Sequence, residues 1–286
     1  MRKLTTIFLI GLACLAACSV QKESTAAIVE NNSVTKNESP AIENILPANF
    51  SEIVSQETVK LKLGDAEVQV IISKGKTEKP LFFNMHDDEN TSVEAAKAFV
   101  AKYDGKVIEL AHDGSRLIKF KLKNEQFTID PNRIFTAVGI TETLKKNGKT
   151  SPEAEKEIDA FAKNLIAKFL ADSTIIVAMH NNSENAYSVK SYEKGGDSEK
   201  DAAQVFTKPE NDVDDFFFVT EQKHFDAFKT KGFNVVLQNN QTVTDDGSLS
   251  VYCGKGKITY INVEAQHGHA AQQLKMLEAL REVLGN

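Results

Sequence analysis

The chain has 286 residues, 41% of them hydrophobic, which is enough for one sizeable buried core. Acidic residues outnumber basic ones by 40 to 34, a formal charge of -6, and no basic stripe is present to neutralise phosphates, so nucleic acid is excluded as a partner. Only three cysteines occur, at positions 14, 18 and 253, which excludes a disulfide-built scaffold.

Taken in chain order, Met1-Arg2-Lys3 precedes an apolar run from Leu4 to Ala17 that is too short to span a bilayer, the pattern of a secretory signal. The run ends in Leu15-Ala16-Ala17-Cys18, which resembles the lipobox of bacterial lipoproteins. That resemblance implies cleavage before Cys18, lipidation of its thiol, and an exported protein anchored to a membrane, on the periplasmic or surface side of the outer membrane. Loss of residues 1–17 removes Arg2 and Lys3 and no acid, taking the formal charge from -6 to -8. Residues 18–49 are rich in Ser, Thr, Asn, Glu and Lys and read as a lipidated tether without a core. Residues 50–286 suit one domain, and no later apolar run reaches spanning length, so lipid is the expected membrane attachment. Cys253 is then the single remaining thiol, and a structural role is expected for it.

Within that domain, alternation over Val59–Leu63 and Val68–Ile72 around Gly64-Asp65 predicts a hairpin. Leu81-Phe82-Phe83 is a short strand leading to Asn84-Met85-His86, and Thr91 to Tyr103 is a helix capped by Thr91 or Ser92. Val107–Leu110 is a strand, Leu117–Ile129 a hairpin around Lys123-Asn124, and Ser151-Pro152 starts a helix running to about Leu170. Thr174–Met179 has the continuous apolar character of a strand covered on both faces and ends at His180; Phe216-Phe217-Phe218 reads the same way. Strands over Asp214–Thr220, Asn234–Leu237 and Lys257–Glu264, and a closing helix over Ala270–Leu284, complete the pattern. The polar stretch from Asn182 to Asp214 is expected to loop over one edge. Strands alternating with helices predict an α/β fold, a mixed central sheet flanked by helices.

Polar residues recur where these apolar strands end: His86 and Glu89 after the first, His180 after Met179, Glu264 after Val263. The crevice beyond strand carboxyl ends is where α/β sheets hold ligands, and two imidazoles with a carboxylate offer zinc three protein ligands and an open fourth position. The ordered set His86-x-x-Glu89, Arg116, Asn132-Arg133, His180 and Glu264 resembles the zinc carboxypeptidase family, with Asp130-Pro131-Asn132-Arg133-Ile134-Phe135 close to its Asp-x-Asn-Arg-x-Phe. The likeness spans residues 81 to about 270, with Arg133 44 residues after Glu89, His180 47 after Arg133, and Glu264 84 after His180. It implies the zinc carboxypeptidase-like fold, a Zn2+ ion on His86, Glu89 and His180, Glu264 as general base, and Arg116 stabilising the oxyanion. Asn132 and Arg133 would hold a substrate carboxylate.

The implied activity is hydrolysis of an amide near a free carboxylate, with peptides, cell-wall peptides included, as substrates. An N-acyl amino acid deacylase of the succinylglutamate desuccinylase type is the alternative, and a non-catalytic surface-binding lipoprotein on the same fold is a third. The sequence departs from the family in Asp87 and Asp88, a second pair of carboxylates expected beside the metal. Tyr192 and Tyr252 compete for the family's mobile tyrosine. His267 and His269 are expected to face water at a helix start, and His112 and His224 to lie on the surface.

Overall fold

The computed structural model describes residues 53–184 and 186–285; the expected signal, Cys18 and the tether to residue 49 lie outside them. The first hairpin forms as the alternation requires, β1 (Ser55–Leu63) pairing antiparallel with β2 (Ala66–Lys74). It is followed by β3 (Leu81–Asn84), α1 (Asn90–Tyr103), β4 (Lys106–Ala111), and the hairpin β5 (Ile118–Leu122) and β6 (Glu125–Ile129). Next come α2 (Ala137–Lys146), α3 (Pro152–Leu165), β7 (Ile175–Asn182), β8 (Ala202–Phe206), β9 (Phe216–Val219), α4 (Gln222–Thr230), β10 (Val235–Gln238), α5 (Leu249–Gly256), β11 (Thr259–Gln266) and α6 (Ala270–Leu284).

Nine strands make one mixed sheet in the order β1-β2-β4-β3-β7-β11-β9-β10-β8, while β5 and β6 pair separately. The centre, from β4 through β3 and β7 to β11, is parallel; β2 on β4, β9 on β11 and β8 on β10 are antiparallel. The period-2 rule sorts the core into two layers. Phe82, Val177, Met179, Phe217, Ile261 and Val263 face α1, α4 and α6, where Phe99, Phe228 and Leu277 meet them. Phe83, Ile176, Ala178, Phe216, Phe218 and Tyr260 face the other way, against α2, α3, α5 and the β5–β6 hairpin. The strands are therefore apolar on both faces, and Phe216, Phe217 and Phe218 are all buried. Phe217 stacks on Phe228 with ring centroids 3.7 Å apart. No helix among the described residues is long and apolar enough to cross a membrane.

Several elements differ from the expectation. α1 starts one residue earlier with Glu89 at its cap, and no side chain caps it; Ser92 instead donates its hydroxyl to the Glu89 carbonyl. α3 keeps α geometry only to Leu165 and then widens, Ala171 N–H donating to the Ile166 carbonyl. The stretch expected to be loop, 182–214, contributes β8 to the sheet edge. α2, α4 and α5 have no strong local signature: each is short, and α5 carries Gly254 and Gly256. α2 and α5 form because Thr136 and Ser248 accept hydrogen bonds from their first-turn amides and because the sheet supplies an apolar surface for Ile140, Leu144, Leu249 and Val251. His180 and Glu264 do not end their strands. β7 and β11 continue for two more residues in register, His180 opposite Glu264 and Asn182 opposite Gln266.

Candidate active site

The even-numbered face of β7 and β11 is apolar at its start, with Ile176, Ala178 and Tyr260, and turns polar towards the carboxyl ends, with His180, Asn182, Asn262 and Glu264. Alternation thus points four polar side chains into the layer that the core fills lower down. From the neighbouring β3 the chain enters a turn closed by Glu89 N–H donating to the His86 carbonyl, which presents both side chains of His86-x-x-Glu89. The buried Asn84 donates to Ser92 Oγ at 2.6 Å, and Asn181 Oδ1 accepts from Ser92 N–H at 2.7 Å, so the start of α1 is tied to the end of β7.

Three groups converge there. His86 Nδ1 lies 2.9 Å from Glu89 Oε1, His180 Nδ1 2.8 Å from Glu89 Oε2, and the two Nδ1 atoms 3.2 Å from each other, all three residues buried. Burial pushes the Glu89 carboxyl up, but the charge and hydrogen bonds of His180 and His86 outweigh it and hold the group well below its usual range. Burial pushes His86 down; the Glu89 charge and the Asp130 hydrogen bond overcome it and raise the ring to about 9. Burial wins at His180, whose affinity for a proton is lowered. Two ring nitrogens and a carboxylate, aimed at one another from the turn after β3 and from within β7, form a donor set of three protein groups that fits zinc.

In the sequence Asp130 enters only as the first residue of the Asp130-Pro131-Asn132-Arg133-Ile134-Phe135 motif, with no role of its own. In the structure it takes His86 Nε2 at 2.9 Å, which leaves Nδ1 turned towards Glu89 and His180. The hydrogen bond from His86 keeps Asp130 well below the normal carboxyl range despite its burial. The Asp-Pro-Asn turn carries this geometry, because Asn132 N–H caps Asp130 Oδ1 at 2.8 Å.

Glu264 is buried, accepts from Asn262 Nδ2 at 2.9 Å, and is pushed up to about 8 by burial and by the negative charge of Glu89. Arg116 reaches the site and donates Nη1 to Glu89 Oε1 at 2.6 Å. Arg133 lines the same cavity with Nη1 on the Asn132 carbonyl at 2.7 Å and Nε 3.6 Å from Asp246. Asn132 is only partly free for a substrate: its Oδ1 accepts from Leu249 N–H at 3.0 Å and its Nδ2 lies 3.5 Å from His180 Nε2. Gly247 shapes this corner. Its φ is +78°, and a Cβ there would overlap Gly139 and the Arg133 carbonyl, so only glycine lets the start of α2 approach the loop before α5.

The acidic pair does not behave as expected. Asp87 turns away to accept the amides of His112 and Gly114 at 2.6 and 2.7 Å, whereas Asp88 lines the cavity with a buried Oδ1 that has no partner. Tyr192 lines the cavity and shares a hydrogen bond with Tyr187, which sequence reasoning missed; Tyr252 packs on Phe135 and lies outside the cavity lining. His224 is buried and His112 is only half-exposed, so neither is a free surface residue. His267 is exposed but lines the cavity mouth, and His269 lies 3.4 Å from Asp215. Cys253 is buried and its thiol is pushed up to about 12, the state of an inert core residue. His86, Glu89, His180, Glu264, Arg116, Asn132 and Arg133 border one cavity of about 580 Å³.

No family model matches the sequence, and no curated protein matches it either. Among solved structures, murein-tripeptide amidase MpaA from Escherichia coli O157 aligns over 81% of this chain and 94% of its own, with 12% identity and a TM-score of 0.41. LapA from Legionella aligns over 81% of this chain and 61% of its own, with 9% identity and a TM-score of 0.37. Similarity at that distance assigns neither family nor activity to this chain, which rests on its own geometry.

Proposed function

We propose that this protein is a zinc-dependent hydrolase, carboxypeptidase-like, that cleaves an amide bond near a free carboxylate in extracytoplasmic peptides, including cell-wall peptides. The observation that carries the proposal is the convergence of His86 Nδ1, His180 Nδ1 and Glu89, with His180 directly opposite Glu264 in the strand register. A buried carboxyl raised towards the neutral range beside a metal-type donor set supports a catalytic role over a purely binding one. His86, Glu89 and His180 would hold zinc, which would supply Lewis-acid activation of a carbonyl and of a water molecule. Glu264, whose carboxyl binds a proton in the neutral range, accepts the proton of the attacking water and returns it to the leaving amine. Arg116 brings positive charge to the side of the cavity where negative charge develops on the carbonyl oxygen. Arg133, with the remaining N–H of Asn132, holds the substrate carboxylate; the planar guanidinium does so with two parallel hydrogen bonds.

Placement in the cell follows from the lipobox-like segment: acylation of Cys18 would hold the domain at the outer membrane on the periplasmic or surface side, and Cys18→Ala is expected to release it from the membrane fraction. The test of function is elemental analysis of the full-length protein after zinc loading, followed by assay on unblocked peptides and on N-acyl amino acids. About one zinc per chain and hydrolysis of peptides with a free carboxylate are expected. Cleavage restricted to N-acyl amino acids would make the protein a deacylase. Absence of bound zinc, or of hydrolysis in both classes, would remove the proposal.

A further inference from the structure

The layer between the sheet and helices α1 and α6 is apolar, yet four polar side chains interrupt it. Asn84 in β3, Ser92 in α1, Asn181 in β7 and Gln273 in α6 are no more than 4% exposed. Alternation puts Asn84 on the same face as Phe82, and Asn181 on the same face as Met179. Packing alone gives no reason for amides at that depth, because a buried amide costs free energy unless it is hydrogen-bonded.

The four side chains form one connected run of hydrogen bonds. Gln273 Nε2 donates to the His180 carbonyl at 3.0 Å and to the Val263 carbonyl at 3.2 Å. Its Oε1 accepts from Asn181 Nδ2 at 3.1 Å, and the same nitrogen donates to the Ala265 carbonyl at 3.1 Å. Asn181 Oδ1 accepts from Ser92 N–H at 2.7 Å. Ser92 Oγ donates to the Glu89 carbonyl at 2.8 Å and accepts from Asn84 Nδ2 at 2.6 Å. In Gln273 and Asn181 both N–H groups and the oxygen are therefore matched. What this run grips is the backbone of the site. The carbonyls belong to Glu89 and His180, two of the metal-type donors, and to Val263 and Ala265, the residues on either side of Glu264. These bonds do not touch the carboxylate clamp, where Asn132 is held by Leu249 and Arg133 by Asp246.

We infer that Gln273 and Asn181, with Ser92 and Asn84, are positioning residues that fix the backbone of Glu89, of His180 and of the residues flanking Glu264 in one mutual arrangement. The inference rests on the hydrolase reading. A fully matched buried polar network specifies a single arrangement of the elements it joins, and a misplacement of about 1 Å at a reacting group costs about a hundredfold in rate. Gln273→Met keeps the size of the side chain and removes two donations and one acceptance. Competition against a chromophoric chelator reads the zinc affinity of the full-length protein, and hydrolysis of a peptide with a free carboxylate reads kcat and KM. In the variant zinc affinity should fall about tenfold and kcat about ten- to a hundredfold, with KM within about twofold because the clamp is untouched. Leu280→Ala is the control: a buried leucine of the same helix outside the network, it should lower the melting temperature and leave zinc affinity and kcat at native values. Native zinc affinity and kcat in folded Gln273→Met would overturn the inference and leave the hydrolase reading standing. Equal losses in Leu280→Ala would also overturn it, since they would report stability rather than placement. A native protein that neither holds zinc nor cleaves would remove the hydrolase reading and the inference with it. If Gln273→Met does not fold, Ser92→Ala decides by the same measurements: it removes the Oγ bonds to Glu89 and Asn84 and keeps the N–H on Asn181, and undiminished zinc affinity and kcat there would overturn the inference.

Discussion

Asp130 offers the sharpest perturbation of the metal site, because it touches one candidate ligand through a single hydrogen bond. Its Oδ1 lies 2.9 Å from His86 Nε2 and carries a negative charge, since its carboxyl is held well below the normal range. In Asp130→Asn the side-chain oxygen remains available to the ring and to Asn132 N–H, but the charge is gone. Charge-assisted hydrogen bonds are worth about twice neutral ones, so about 1–1.5 kcal/mol of ligand orientation and basicity is lost, near tenfold in zinc affinity. Asp130→Ala removes the contact altogether and should cost towards the upper end of the 10–100-fold range typical of such partners, or about 2.7 kcal/mol. Competition against a chromophoric chelator at fixed pH reads both constants, and far-UV and near-UV dichroism establish that the fold is retained. The expected order is native, then Asn, then Ala. Equal zinc affinity in all three folded proteins would mean that Asp130 does not orient His86, and the orientation of Nδ1 derived from it would fall.

Glu264→Gln should keep zinc and lose turnover by about 10²–10⁴-fold, because Gln retains the shape and the Asn262 contact without accepting a proton; loss of zinc in this variant would make Glu264 a ligand. Zinc binding to the metal-free protein should release a proton from His86, whose ring is raised from 6.5 to about 9. Since the raised site stays protonated below that value, the release measured by calorimetry in buffers of different ionisation enthalpy should be near one at pH 7 and disappear as the pH rises through about 9. The same sign governs stability: protonated His86 stabilises the metal-free fold fully below its unfolded value of 6.5, and that contribution is lost as the pH passes about 9, readable as a falling melting temperature. Gly247→Ala should destabilise by about 2–4 kcal/mol, from a positive φ and overlap with Gly139 and the Arg133 carbonyl, and should raise KM more than it lowers kcat by displacing Arg133. A urea midpoint equal to that of the native protein would refute the close-approach argument.

Much of the fold was legible before any coordinates because its signals are local. Alternation set the first hairpin, a short apolar run marked β3, unbroken apolar runs marked β7 and β9 as strands covered on both faces, and a 3.6-residue stripe marked α1 and α3. The residues His86, Glu89, His180 and Glu264 stood out for a local reason too, as polar groups expected where apolar strands end, and the sheet order brings them together. Where the pattern was weak, tertiary contact decided. α2 and α5 are helices because the sheet and two side-chain caps hold them, and 182–214 yields β8 because the edge of β10 offers it a partner. The site's finer chemistry was decided the same way. Asp87 and Asp88 are neighbours in sequence, yet one is spent on the amides of a distant loop and the other faces the cavity. Asp130 meets His86 across 44 residues, and Asn132 meets Leu249 across 117. Each of these meetings depends on where the fold places a residue distant in sequence, which no local pattern encodes.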